Sequence, residues 1–181
     1  MLSKKRVVGF VVAVSSLLGG IVAPVAAEEA VDVGTAFAIP GGGGTFPVHF
    51  HSDSIIELTA ALQMDIGYSQ AAPIAANIDG KPDCTPSSEA GQNDMAFEFL
   101  PTGCSGSSCT QVRAIVVSFD DITTIPQGAE LFTCKVSVPS GTAPGNYLLF
   151  VIEALGSDSL GYPVSISRTD GFVSVQSSGG C

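Results

Sequence analysis

The sequence has 181 residues and is acidic, with 17 Asp and Glu residues against seven Lys and Arg residues and a formal net charge of −10. A chain this negative repels phosphate backbones and anionic membrane surfaces, which argues against nucleic acid as a partner. The length suits one domain, and a domain of this size buries enough surface to fold alone.

The first 27 residues have the features of a secretory signal peptide. Lys4, Lys5 and Arg6 form a positive start, and a short apolar run follows over residues 7–22. Small residues precede a cleavage site before Glu28, as signal peptidase requires. A membrane anchor is the less favoured alternative, because the run is broken by glycines and a spanning helix needs about 20 apolar residues.

We therefore expect an exported protein with no membrane span once the signal is removed. The predicted division is a signal peptide (1–27), one domain (28–176) and a short tail (177–181). Removal of the signal also removes three of the seven basic residues, so the mature chain is more acidic still.

Alternation of apolar and polar residues with period two dominates the chain after the signal. Phe46, Val48 and Phe50, for example, share one side of a predicted strand. About nine strands separated by turns are typical of an all-β antiparallel sandwich with jelly-roll topology. The predicted strands cover residues 31–38, 45–51, 56–66, 71–78 (weak), 95–100, 112–119, 129–138, 147–154, 164–167 (weak) and 172–176.

The longest predicted strand has two distinct faces. Its inward face is apolar and comprises Leu58, Ala60, Leu62, Met64 and Ile66. Its outward face comprises Thr59, Ala61, Gln63 and Asp65. One packed and one solvated face is the usual pattern of an antiparallel sheet.

Three later strands are predicted from the same pattern. Residues 112–119 and 147–154 are apolar on both faces, which favours central positions in a sheet. The strand over residues 129–138 alternates. It is expected to point Phe132, Cys134, Val136 and Val138 inward and Leu131, Thr133, Lys135 and Ser137 outward.

Five cysteines bear on the compartment and the fold: Cys84, Cys104, Cys109, Cys134 and Cys181. In an exported chain such cysteines form disulfides, and the four internal ones allow three pairings. The short flexible loop between Cys104 and Cys109 favours their pairing, which leaves Cys84 with Cys134. Zinc is disfavoured because no CxxC spacing is present. Cys181 is then left without a partner within the domain. We expect it either to form a disulfide with another chain or to belong to a longer protein.

The order of segments resembles the cohesin family. The resemblance rests on the strand over residues 58–68, the approach Ile125-Pro-Gln-Gly-Ala-Glu-Leu131, the turn Ala143-Pro-Gly-Asn-Tyr147 and the closing strand Asp170-Gly-Phe-Val-Ser-Val175. It covers nearly the whole mature chain. The internal cysteines and the loop over residues 79–93 depart from the usual family pattern.

Cohesins are receptor modules of cellulosome scaffoldins and bind dockerin modules, so the resemblance implies a secreted, non-catalytic module that docks a protein through a flat sheet face. The residues expected to bind the partner are Thr59, Ala61, Gln63, Asp65, Arg113, Ile115 and Val117. Ile115 and Val117 could instead belong to the core. Related carbohydrate-binding modules share the sandwich, so a polysaccharide-binding or adhesion domain is the alternative.

Catalytic and metal-binding sites are weakly indicated. His49 and His51 point the same way from one strand, but no third metal ligand is evident. Asp120 and Asp121 are adjacent and so diverge, which argues against a glycosidase pair. No cofactor is expected. Calcium is considered for the oxygen-rich loops at residues 79–83 and 157–159, where plain turns are the favoured interpretation.

Overall fold

The computed structural model describes residues 29–53, 59–120 and 122–177. The predicted signal peptide (1–27), Asp121 and Cys181 lie outside this part of the chain, as do residues 56–58 of the longest predicted strand. Within it, the regular structure consists of strands and two single 3₁₀ turns, Ser88–Ala90 and Gly106–Ser108. The prediction of an all-β protein is confirmed.

Twelve strands are found among the described residues, more than the nine or so predicted. They are β1 (Glu29–Val33), β2 (Thr35–Ala38), β3 (Gly43–Ser52), β4 (Ala61–Tyr68), β5 (Cys84–Pro86), β6 (Asp94–Leu100), β7 (Gln111–Val117), β8 (Glu130–Ser137), β9 (Gly145–Ser157), β10 (Pro163–Val164), β11 (Ile166–Thr169) and β12 (Gly171–Val175).

The strands form two sheets. Sheet A has five strands in the order β11-β1-β3-β8-β5, and sheet B has the order β2-β12-β9-β4-β7-β6, with β10 paired to β9. Most pairs are antiparallel, but the pairs of β1 with β11 and of β2 with β12 are parallel. At one edge of each sheet, a strand from the start of the chain therefore pairs with a strand from its end.

One hydrophobic core lies between the sheets. Sheet A contributes the alternating side chains Phe46, Val48 and Phe50, each fully buried, as the alternation predicts. Sheet B contributes Leu62, Met64 and Ile66 from β4, and Val112, Ala114 and Val116 from β7. Residues 29–53, 59–120 and 122–177 contain no helix with the length and apolarity of a membrane span.

The predicted strand over residues 31–38 is divided, because the chain leaves sheet A and enters sheet B at Gly34. The Gly34 amide donates to the Pro47 carbonyl at 2.8 Å. A Cβ at Gly34 would lie 2.8 Å from the Pro47 ring, closer than packing allows. Glycine is therefore required where the chain passes from sheet A to sheet B. On either side of it, β1 and β2 lie in opposite sheets.

A β-bulge corrects the predicted facing of Leu131. Val48 pairs with Phe132 and His49 with Glu130, so Leu131 is the extra residue on β8. Both Leu131 and Phe132 are consequently buried, whereas strict alternation placed Leu131 outward.

The weak strand predicted over residues 71–78 is wrong. This segment is a loop with two isolated bridges, Ile74 to Val136 and Ala76 to Pro82. Pro73 has no amide hydrogen to offer a ladder, which limits pairing there. The loop still lies along β8, since the Ala75 amide donates to the Lys135 carbonyl at 2.8 Å.

Two disulfides are present, in the pairing that the sequence favoured. Cys84 on β5 lies opposite Cys134 on β8 and is bonded to it. Cys104 is bonded to Cys109 across the second 3₁₀ turn. The first disulfide ties β5, at the edge of sheet A, to its neighbour β8, and the second closes the turn between β6 and β7.

Candidate functional site

The outer face of sheet B is formed by the side chains of β9, β4, β7 and β6 that point away from the core. Phe150 and Leu155 on β9 and Ile115 on β7 are 39%, 53% and 39% exposed. These side chains cover one face of a sheet whose other face packs against sheet A. Several exposed apolar side chains on one sheet face are characteristic of an interaction site.

Gln63 occupies the centre of one apolar patch on this face. It lies directly between Leu155 on one neighbouring strand and Ile115 on the other. Beside it, Ala61 and Val117 line a shallow depression of about 390 Å³ whose rim includes Phe119. Ala61, Gln63 and Val117 are half-buried, so the structure brings these three predicted residues together on an accessible surface.

The prediction that left Ile115 and Val117 between core and surface is resolved by their register. Both alternate along β7 with the buried residues Ala114 and Val116, and they therefore point outward. Two-sided apolarity in this strand reflects an apolar outer face.

A charged row crosses the same face over four strands. Asp65 on β4 is paired in register with Glu153 on β9 and with Arg113 on β7, and Arg113 is paired with Glu98 on β6. The row thus holds three carboxylates and one guanidinium. It separates the apolar patch around Gln63 from the patch around Phe150.

Arg113 and Asp65 form the central ion pair of this row. Arg113 Nε donates to Asp65 Oδ1 at 2.7 Å, and Nη2 donates to Oδ2 at 2.6 Å. The hydrogen bond to Asp65 raises the pKa of Arg113, and Glu153 and Glu98 add to this effect through their charges. The Asp65 side chain is 8% exposed, so this predicted binding residue lies beneath Arg113.

Thr59 is not part of this face, which corrects its predicted outward position. It precedes β4, is fully buried, and its hydroxyl donates to the Glu29 carboxylate. The carbonyl of Thr59 accepts from the Ile125 amide at 2.8 Å. The strand therefore begins at Ala61 and Thr59 helps to close the end of the sandwich.

Gly67 allows an aromatic ring to approach the sheet closely. Phe150 is paired with Gly67, and a Cβ at Gly67 would come within 2.3 Å of the Phe150 ring. The ring thus occupies the space that any other side chain would fill.

The site predicted from the sequence contained no residue of β9 or of the two loops at the end of the sheet. Leu148, Phe150 and Leu155 are exposed on β9, and Phe119, Ile122, Leu160 and Tyr162 are exposed at the end of the sheet. The sequence feature that points to β9 is its apolarity on both faces, which by itself predicts only a central position in a sheet. β9 is indeed central, between β12 and β4.

The histidines lie on the outer face of sheet A. His51 Nε2 is 3.0 Å from Asp32 Oδ2, and the rings of His49 and His51 are 6.4 Å apart. Within the described ranges, no three His, Cys, Asp or Glu side chains are grouped as metal ligands.

The oxygen-rich loops are organised as turns. The Asn77 side chain accepts from the amides of Asp79 and Lys81 at 3.0 Å, and Asp83 pairs with Lys135 at 3.0 Å. Asp158 Oδ1 accepts from the amides of Leu160 and Tyr162. Asp120 is exposed beyond β7, and its neighbour Asp121 lies outside the described residues.

No protein-family model matches the sequence, and no curated protein matches it. Solved cohesin structures do match the fold. A type I cohesin–dockerin complex from Clostridium thermocellum is 11% identical, with a TM-score of 0.65, and the match covers 82% of this chain and 99% of that one. The sixth cohesin of scaffoldin B from Acetivibrio cellulolyticus, in complex with a dockerin, is 13% identical with the same TM-score and the same coverage of both chains.

A non-cellulosomal cohesin from the archaeon Archaeoglobus fulgidus is 15% identical, with a TM-score of 0.59, and the match covers 82% of this chain and 91% of that one. Identities this low concern the fold rather than the binding residues. The protein therefore has the cohesin-like β-sandwich fold that residues 58–68, 125–131, 143–147 and 170–175 indicated.

Proposed function

We propose that this protein is an exported, non-catalytic binding module that docks a protein partner through the outer face of sheet B. The observation that carries the proposal is the exposed apolar surface of β9 and β7 with a charged row through it. An apolar centre with charged groups beside it is the usual composition of a protein interface.

The apolar part of the face supplies the anchor of the interaction. Leu155 and Ile115 flank Gln63, and the depression beside them has a floor of small or half-buried residues, Ala61 and Val117. Large apolar side chains of a partner bind strongly at such depressions, because they lose much of their contact with water there.

The charged row selects the kind of partner. Asp65, Glu153 and Glu98 outnumber Arg113, and the whole chain carries a net charge of −10. A second copy would bring carboxylates against carboxylates, which costs binding energy. The partner is therefore a different protein, with basic side chains next to its apolar anchor.

A dockerin-type module is the partner class that we propose. Support comes from the cohesin fold and from the matched complexes, which contain dockerins. The setting is an extracellular or cell-surface assembly that degrades polysaccharides. The signal sequence and the two disulfides support export, because disulfides persist in oxidising compartments.

Binding of the full exported chain to dockerin modules from the same organism, measured by calorimetry, tests the proposal. Ile115→Glu places a charge at the centre of the apolar patch, and we expect it to weaken binding by about 30-fold or more. Ile78→Glu is the matched control, since Ile78 is fully exposed in a loop away from the face. Equal effects of the two changes would contradict the proposal.

Retention on insoluble cellulose or xylan provides the second measurement. We expect no retention, because Trp is absent from the chain and the outer face exposes mainly aliphatic side chains, such as Ile115, Leu148 and Leu155, beside Phe150. Retention that Ile115→Glu abolishes, without binding to any dockerin, would identify a carbohydrate-binding module instead.

A further inference from the structure

A cavity of about 460 Å³ opens between the two sheets, at the end of the sandwich where β4 and β6 stop. Tyr68 and Phe99, the last inward-facing aromatic residues of β4 and β6, form one wall with their rings edge to face. The loop of residues 69–80 and the Cys104–Cys109 disulfide form the others. This volume lies in the range of small-molecule sites.

The walls are held by bonds that exist without a ligand. The Gln70 side-chain amide donates to the Cys109 carbonyl, which joins the loop to the disulfide turn. The amides of Ala75 and Ser137 donate to the carbonyls of Lys135 and Pro73 at 2.8 and 2.9 Å, which fix the loop along β8. A site formed in advance binds small molecules without an ordering cost.

The lining is neutral, although the chain is strongly acidic. Most of it is apolar, with Tyr68, Phe99 and Ile74 among the lining residues, and Gln70 and three serines add neutral polar groups. No Asp, Glu, Lys or Arg among the described residues lines the cavity. A neutral apolar lining disfavours a charged ligand, because the charge would lose its water without gaining a partner.

Tyr68 provides one hydrogen-bonding group at this site. Its side chain is 6% exposed, and its hydroxyl has no hydrogen-bond partner among the described residues. Burial raises the pKa of Tyr68 to about 12, so the hydroxyl keeps its proton at neutral pH and can donate it. Among the described residues, the buried side-chain oxygen without a partner is Gln92 Oε1, so the Tyr68 hydroxyl is instead accessible, and it can donate to a ligand in the cavity that Tyr68 lines.

We propose that this cavity binds a small, neutral, ring-containing molecule with one acceptor oxygen, which the Tyr68 hydroxyl recognises. The ring packs against Tyr68 and Phe99, and a carbonyl or ether oxygen accepts the hydrogen bond. A sugar fits poorly, because its many hydroxyl groups would lose water against the apolar walls. This site is separate from the outer face of sheet B and goes beyond the proposed docking function.

Three probes of the same ring size test the chemistry on the full exported chain: acetophenone, ethylbenzene and benzoate. Acetophenone has the ring and one acceptor oxygen, ethylbenzene lacks the acceptor, and benzoate adds a negative charge. Amide chemical shifts in ¹⁵N spectra report the site. We expect acetophenone to bind with saturable shifts confined to residues 69–80 and 99–109, ethylbenzene to bind more weakly, and benzoate not to bind.

Two variants separate the hydrogen bond from the cavity. Tyr68→Phe removes only the hydroxyl, and we expect it to weaken acetophenone binding about 2- to 10-fold while ethylbenzene is unaffected. Ala76→Trp fills the cavity from an exposed position and should abolish binding of both. Tyr162→Phe, at an exposed tyrosine in a distant loop, is the matched control and should change neither.

The outcomes distinguish this proposal from the docking proposal. Ile115→Glu should leave acetophenone binding unchanged, since Ile115 lies on the other side of sheet B. Shifts that do not saturate, shifts on the outer face of sheet B, binding of benzoate as tight as that of acetophenone, or equal effects of Tyr68→Phe and Tyr162→Phe would each overturn the assignment.

Discussion

Arg113 on β7 covers the carboxylate of Asp65 on β4 with two hydrogen bonds, of 2.7 and 2.6 Å. The pair lies in the middle of the outer face, between the two apolar patches. Asp65 is 8% exposed and Arg113 is 35% exposed, so the arginine separates the aspartate from water. The geometry makes Arg113 the member of the pair that a partner meets.

Replacement of Arg113 by Met should destabilise the fold by about 1–3 kcal/mol. The Asp65 carboxylate would then be mostly buried without its cation, beside Glu153 on the neighbouring strand. Urea unfolding at pH 7 measures the loss. The double variant Arg113→Met with Asp65→Asn should recover part of it, because the amide carries no charge. If the loss of stability in the double variant equals the sum of the losses in Arg113→Met and Asp65→Asn, the two residues do not interact.

Gly67→Ala tests the close approach of Phe150 to the sheet. The added methyl group would overlap the ring, and we expect the ring to move and the fold to lose about 1–3 kcal/mol. Thermal unfolding measures the change. In a Phe150→Ala background the same substitution should be nearly neutral, since the space above Gly67 is then free.

The regular features of the fold could be predicted because they depend on local pattern. Phe46, Val48 and Phe50 alternate in sequence and are all buried, and the pairing of Cys104 with Cys109 follows from a short loop. The outward position of Gln63 follows from the same alternation. For Ile115 and Val117, whose strand is apolar on both faces, the sequence left core and surface open.

The departures depend on partners distant in the chain. Thr59 is buried because its hydroxyl meets Glu29, thirty residues earlier, and Leu131 is buried because β8 has a bulge opposite Val48 and His49. Neither feature can be recognised from the local alternation of apolar and polar residues. For β9, an apolar outer face is the same in sequence whether a second layer covers it or it stays exposed, so the exposure of Phe150 could not be foreseen.

The two disulfides should contribute unequally to stability. Cys84 and Cys134 are separated by 50 positions, whereas Cys104 and Cys109 are separated by five. Loss of the longer loop closure should cost about 4 kcal/mol and loss of the shorter about 2 kcal/mol, according to the entropy of the unfolded chain. Urea unfolding of the Cys84→Ala, Cys134→Ala and Cys104→Ala, Cys109→Ala double variants compares them.

Thiol titration before and after unfolding is the control for that comparison, because each double variant must retain its other disulfide. A larger loss from the Cys104 and Cys109 variant would mean that the turn between β6 and β7 is stabilised by the native contacts of its disulfide rather than by loop closure.

Tyr68 should make stability depend on pH in the alkaline range. Burial raises its pKa from 10.0 to about 12, because the phenolate would lose its water in the cavity wall. The unfolded state ionises first, so the contribution of Tyr68 to stability is fully present below pH 10 and decreases as the pH rises from 10 to 12. Urea unfolding at several pH values, with absorbance at 295 nm to follow ionisation, measures both effects. Tyr68→Phe should flatten this part of the stability profile and remove the ionisation step near pH 12, whereas an unchanged profile would mean that Tyr68 remains hydrated in the folded protein.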